Sequence, residues 1–267
     1  MLVDGRALAE QVYAKVKTAA ESQAVSPHLT IITCAPNAAT QQYLALKKRK
    51  AAAVGVAVNI IELPKQITTD ETVAVVARAQ MQTDGIIVQL PLPAHLDTDV
   101  VINAIPTRYD VDGMHYDGTS ATLMSPVVSA IDTIARTHDL LLATLQVVIV
   151  GNGRLVGKPA AIWAQKQGAH VTVLTKDTDT DEAAAVIAHA DVLILGAGSA
   201  GMITAAMVKA GVIIFDAGTS EDGGELKGDA DPACVEKASL MTPVPGGIGP
   251  LTVACLLRNV VDLRSRQ

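Results

Sequence analysis

Apolar positions along this chain alternate between two periods from end to end. Short aliphatic runs predict strands at Leu29–Cys34, Val56–Leu63, Gly85–Leu90, Val147–Val150, His170–Leu174, Val192–Leu195 and Val212–Phe215. Between them, apolar residues three and four apart predict helices over Gly5–Ser22, from Ala39 to a cap at Gly55, and over Glu71–Met81. Further helices are expected over Leu155–Gln167, closed by Gly168, over Thr180–Ala190, and in a short piece near Thr204–Ala210. A last helix is expected over Pro250–Leu263, with Pro250 at its first position. Alternation of this kind reads as α/β, and Ile86-Ile87-Val88 reads as a strand buried on both faces of a parallel sheet. The expected organisation is two domains. Residues 1–125, joined by a returning C-terminal helix at 250–267, form an N-terminal α/β domain, and residues 126–249 form a doubly wound one.

Composition narrows the function classes. The 267 residues suffice for a full core, and 49% are apolar, but only 2% are aromatic, so small side chains dominate the packing. A net charge of −6 argues against nucleic acid, where a basic face is expected. Cys34, Cys234 and Cys255 contain no C-x-x-C, and no two histidines have helical metal-ligand spacing. Neither a metal site nor a disulfide framework is expected, and a reducing cytoplasm fits. Asp4, Arg6, Glu10, Lys15 and Lys17 interrupt the N-terminus, so no signal peptide is read there, and no unbroken membrane-length apolar run occurs.

Four segments carry candidate chemistry. Gly151-Asn152-Gly153-Arg154-Leu155-Val156-Gly157 lies between a predicted strand and helix, the context in which a Rossmann-like unit receives a dinucleotide. Its G-x-G-x-x-x-G spacing is one residue longer than the usual fingerprint, and the competing reading is a tight strand-to-helix turn. The next strand ends at Thr175-Lys176-Asp177, where an adenosine ribose is contacted. Asp177 suits the free 2′-hydroxyl of NAD, whereas Lys176 or Arg154 suits the 2′-phosphate of NADP. The residues leave that choice open. The second segment, Thr242–Thr252, packs three prolines and three glycines into a stiff run, read either as a ligand-facing wall or as a turn before the last helix. In the third, Tyr43 and Lys47 share a helix face, although Lys47 opens the basic run Lys47–Lys50, which alone reads as a solvated surface. A lysine in a partly apolar cleft loses basicity and shuttles protons near neutrality. The fourth comprises Gln89, at the carboxyl end of an apolar strand, and Asp112, in the Asp110-Val111-Asp112-Gly113 loop, where a carboxylate suits a guanidine-like heterocycle.

Taken together, these motifs resemble the bifunctional methylenetetrahydrofolate dehydrogenase/cyclohydrolase (FolD) family along essentially the whole chain. The resemblance runs through Val3-Asp4-Gly5, Tyr43-x-x-x-Lys47, Asp84–Pro93, Asp110–Gly113, Val156-Gly157-Lys158-Pro159, Asp216-Ala217-Gly218-Thr219 and Thr242–Thr252. It implies oxidation of 5,10-methylenetetrahydrofolate with NADP or NAD, then hydrolysis of the methenyl product to 10-formyltetrahydrofolate. A single-activity member of the family and a non-catalytic folate binder are the alternatives. The resemblance implies that Lys47 is the proton-transfer residue, tuned by Gln89, that Tyr43 stacks along the folate, and that Asp112 grips the pterin. Pro245, Gly246 and Gly247 would line the folate cleft, and Gly151, Asn152, Gly153, Arg154 and Gly157 would receive the cofactor. Tetrahydrofolate derivatives are the implied partners, together with a second copy of the chain in a homodimer. The chain departs from the family's usual Arg-Ser at Asn152-Gly153, from its P-C-T-P at Ser125–Val128, and from its Gly-Lys-Pro at Gly198-Ser199-Ala200.

Overall fold

The computed structural model describes residues 1–222 and 225–266. The chain divides into two compact units, Glu10–Pro126 with Val253–Gln267, and Met1–Ala9 with Val127–Thr252. Helix α1 (Gly5–Glu21) enters the first of these at Glu10, and the elements then run β1 (His28–Cys34), α2 (Ala38–Ala53), β2 (Ala57–Leu63), α3 (Thr69–Ala79), β3 (Gly85–Val88) and α4 (Thr98–Asn103). The three strands are all parallel, in the order β2-β1-β3. Ile31, Ile32, Ile86 and Ile87 of β1 and β3 are all but fully buried, which is why both strands read as continuous apolar runs. Burial of each such side chain contributes roughly 1.5–3 kcal/mol, so the sheet is a stiff platform for whatever its edges carry. An isolated parallel bridge from Ile86 to Asp110 extends the sheet beyond β3.

Helix boundaries follow local chemistry. Asn37 caps α2 by accepting from the Thr40 amide, and Gly55 (φ 79°) supplies the left-handed exit that follows the helix. Thr68 and Glu71 form a reciprocal capping box, so α3 starts at Thr69, ahead of the expected Glu71, and passes at Gln80 into a 3₁₀ turn.

The other unit contains α5 (Pro126–Thr137), β4 (Gln146–Val150), α6 (Gly157–Lys166), β5 (His170–Leu174), α7 (Thr180–His189), β6 (Val192–Leu195) and β7 (Ile213–Asp216). A hairpin of β8 (Ser220–Asp222) and β9 (Glu225–Lys227) follows, then β10 (Leu240–Met241), before the chain enters α8 (Ile248–Ser265). Five parallel strands stand in the order β10-β7-β6-β4-β5, so the winding direction reverses between β4 and β6. This is the Rossmann-like sheet that the alternation predicts.

The departures are local. Residues 204–210 hold only a 3₁₀ turn, Ala205–Met207, and α4 and α5 form without having been expected. The last helix begins at Ile248, two residues before Pro250. Proline is tolerated there because the first four amides of a helix have no intrahelical acceptor.

Candidate active site

The first unit gathers Tyr43, Lys47, Gln89 and Asp112 around the carboxyl end of β3. Helix α2 turns only one of its four consecutive basic side chains inward: Lys47 is 5% exposed, while Lys48 and Arg49 are exposed and Lys50 is half-buried. Lys50 instead pairs with Glu10 at 2.9 Å. The Lys47 ammonium lies 4.5 Å from the centroid of the Tyr43 ring, one turn earlier on the same face. It donates to Gln89 Oε1 at 3.0 Å. Gln89 follows directly on β3, its own amide bonded to Ile32 O at 2.8 Å, and its side-chain Nε2 donates to Leu90 O at 2.9 Å. With Nε2 committed in this way, the amide oxygen is the end left to face the lysine.

Asp112 arrives by the parallel bridge at Asp110, which carries the loop in the same direction as β3. Gly113 (φ 63°) makes the turn that follows, with no room for a side chain against the Ser125 and Leu123 main chain. Asn259 of α8, itself buried, donates to Val111 O at 2.9 Å and Met124 O at 3.1 Å, tying this loop to the main chain at Met124. Nothing in the local sequence pattern singles out Asn259, since its partners lie more than a hundred positions away.

The electrostatics are coupled. Burial lowers the pKa of Lys47 below the usual lysine range, opposed by the nearby charge of Asp112. Burial pushes the Asp112 carboxyl up to about 6, with Lys47 pulling it down and Asp110 adding to the rise. Tyr43 is raised to about 12, chiefly by burial and then by Asp112. The environment thus disfavours charge on both partners, the condition under which a lysine gives and takes a proton near neutrality.

The second unit presents the glycine turn at the reversal of strand order. Gly151 (φ 98°) leaves β4 with its amide bonded to Leu174 O at 2.9 Å, which sets the exposed Thr175-Lys176-Asp177 turn beside it. A side chain on Gly151 would stand 2.7 Å from Gly196 O, at the end of β6, and one on Gly157 would overlap Gly151 O. Around Gly153, by contrast, a Cβ meets nothing within 4 Å. Two glycines are therefore demanded by main-chain packing, and the third leaves a bare, open backbone of the kind a diphosphate lies against. Asn152 is exposed and Arg154 half-buried. Pro245, Gly246 and Gly247 lie in this unit, in a turn closed by Gly247 N to Pro243 O at 2.8 Å and packed on Gly5. The described residues contain no group of three or more His, Cys, Asp or Glu side chains placed to hold a metal ion. All three cysteines are buried, and none is joined in a disulfide among the described residues.

A lysine-centred polar cluster on one α/β unit, with a dinucleotide turn on a Rossmann-like partner, defines a nicotinamide-dependent enzyme. The chain belongs to the tetrahydrofolate dehydrogenase/cyclohydrolase family: residues 3–112 match the model for its catalytic domain and residues 125–267 the model for its NAD(P)-binding domain. The bifunctional protein FolD of Oceanobacillus iheyensis is 33% identical over 273 residues, covering 97% of this chain and 95% of its own. The FolD protein of Heliobacterium modesticaldum is 35% identical over 273 residues, with 97% and 94% covered. Among solved structures, the bifunctional FolD of Campylobacter jejuni superposes with a TM-score of 0.95 at 30% identity, covering 100% of this chain and 99% of that one. The Trypanosoma brucei enzyme, complexed with NADP and an inhibitor, gives 0.91 at 28% identity, covering 100% and 97%.

Proposed function

We propose that Lys47, Gln89, Asp112 and Tyr43 are the catalytic group of a bifunctional enzyme. The enzyme oxidises 5,10-methylenetetrahydrofolate and hydrolyses the methenyl product to 10-formyltetrahydrofolate. The observation that carries the assignment of roles is the buried Lys47 ammonium, fixed by Gln89 and facing the charge of Asp112. The cofactor is a nicotinamide adenine dinucleotide, NADP or NAD, which supplies a hydride acceptor when bound. Gly151, Asn152, Gly153, Arg154 and Gly157 would hold its diphosphate side, and Thr175, Lys176 and Asp177 its ribose side.

In hydrolysis, neutral Lys47 takes the proton of the water that adds to the methenyl carbon. The C–N5 bond then breaks and N5 takes up a proton, leaving the formyl group on N10. Gln89 keeps the amine in place through its amide oxygen, and Asp112 both grips the pterin and sets the lysine's basicity. Tyr43 offers a ring for stacking, and Pro245, Gly246 and Gly247 are assigned further substrate contacts. No helix among the described residues is long and apolar enough to cross a membrane. A cytoplasmic homodimer is the form we propose for the enzyme.

The experiment is Lys47→Met with methenyltetrahydrofolate hydrolysis as the readout. Loss of hydrolysis in a protein that still unfolds cooperatively is expected, and an unchanged rate would sink the assignment.

A further inference from the structure

Two buried carboxylates of the Rossmann-like unit, Asp216 and Asp229, take no part in the chemistry above. Asp216 ends β7, and Asp229 follows the β8–β9 hairpin; both are essentially inaccessible to solvent. Asp216 Oδ1 accepts from Gly218 N at 3.0 Å and Asp229 N at 3.2 Å, and its Oδ2 accepts from Ala230 N at 2.8 Å. Asp229 Oδ2 accepts from Ala197 N at 2.7 Å and Gly198 N at 3.1 Å, and its Oδ1 accepts from Ser199 N at 2.6 Å. These donors are all main-chain amides. Gly218 and Gly228 seal the arrangement, because a side chain on either would overlap one of the carboxylates.

The position of the amides that Asp229 collects gives them meaning. Residues 197–199 leave the carboxyl end of β6 directly after Gly196, whose carbonyl and following amide lie against Gly151. Val156, just before α6, also packs against Gly196. The 197–199 main chain is thus the β6 wall of the crevice whose β4 wall is the glycine turn, at the reversal of strand order where parallel sheets take their ligands. A loop of Ala, Gly and Ser has little packing of its own, and Gly198 (φ 69°) adds freedom to it. A carboxylate accepting three amides in adjacent residues fixes such a loop through charge-assisted bonds.

We propose that Asp229, seated by the amides bound to Asp216, is a positioning residue for the dinucleotide: it holds the 197–199 main chain as the second wall of the cofactor crevice. The inference rests on the assignment of the cofactor to the Gly151 turn. Asp229 touches no reacting atom, so its effect falls on cofactor affinity and leaves hydrolysis at Lys47 alone.

The test is Asp229→Asn in the full-length protein, with three rates compared against the unaltered chain. The dinucleotide KM in methylenetetrahydrofolate oxidation is expected to rise at least tenfold, with kcat within about threefold and cofactor-free methenyl hydrolysis unchanged. An unchanged KM, or parallel loss of hydrolysis, overturns the proposal. Gly153→Glu separates the two assignments, since an unchanged KM there counts against the Gly151 turn itself. Amide exchange on the unaltered protein needs no variant: the amides of Ala197, Gly198 and Ser199 should exchange at least a hundredfold more slowly than in an unstructured peptide, and free exchange overturns the latch.

Discussion

Lys47 and Gln89, 42 positions apart, meet through a single 3.0 Å hydrogen bond from the lysine ammonium to the amide oxygen. The amide's other end is tied to Leu90 O, so the acceptor cannot turn away without breaking a second bond. A neutral acceptor at this place steadies the amine without adding a charge that would hold its proton.

Gln89→Glu replaces that neutral acceptor with a carboxylate at nearly the same distance. An adjacent negative charge typically raises a lysine pKa by about 1–3 units, restoring the protonated form that burial disfavours. Methenyl hydrolysis at pH 7 should fall about 10- to 100-fold, with the rising limb of its pH–rate profile moved to higher pH. A profile in the same place would mean that Gln89 does not tune Lys47.

Asp112→Asn should move the same limb the other way. The Asp112 charge raises the Lys47 pKa against the effect of burial, so removing it lets burial lower that pKa further. The kcat profile, which reports the substrate complex, is the one to follow, because loss of the proposed pterin contact would also raise KM. Below about pH 6 the two proteins should converge in charge at this position, since Asp112 is itself pushed up to about 6. The limbs belong to the coupled pair, so the sign of each displacement is the decisive result.

The glycine turn separates packing from binding. Gly157→Ala forces a methyl group into the Gly151 carbonyl and should cost about 1–3 kcal/mol, read as a lower Tm. Gly153→Glu meets no protein atom within 4 Å of its Cβ, so its Tm should stay put while the dinucleotide KM rises about tenfold through repulsion of the diphosphate. Equal loss of Tm in both variants would contradict the geometry.

Most of the strand–helix order was legible in the sequence where the apolar period changes cleanly, but α4, α5 and the short strands β8, β9 and β10 were not. Tyr43, Lys47, Gln89 and Asp112 were legible as a set only through their motifs. Taken singly, Lys47 reads as one of four surface cations, and only the helix phase distinguishes its buried 5% from its exposed neighbours. Pro250 misplaced the start of α8 because a proline signals the first turn of a helix and not a particular residue in it. Asn259 and Asp229 were invisible for a different reason. Their partners are main-chain groups brought close by the fold, and an amide or carbonyl has no letter in a sequence.

At the Gly151, Gly157 and Gly196 junction main chain packs on main chain, with the Val156 side chain against Gly196. Substitution has almost nothing to act on there, apart from destroying the junction. On the cofactor site proposed above, drift in cofactor preference would be channelled outward, to Asn152 and to the exposed Thr175-Lys176-Asp177 turn, which lie outside the strands. Redesign of the enzyme between the two nicotinamide cofactors has these four positions as its natural alphabet.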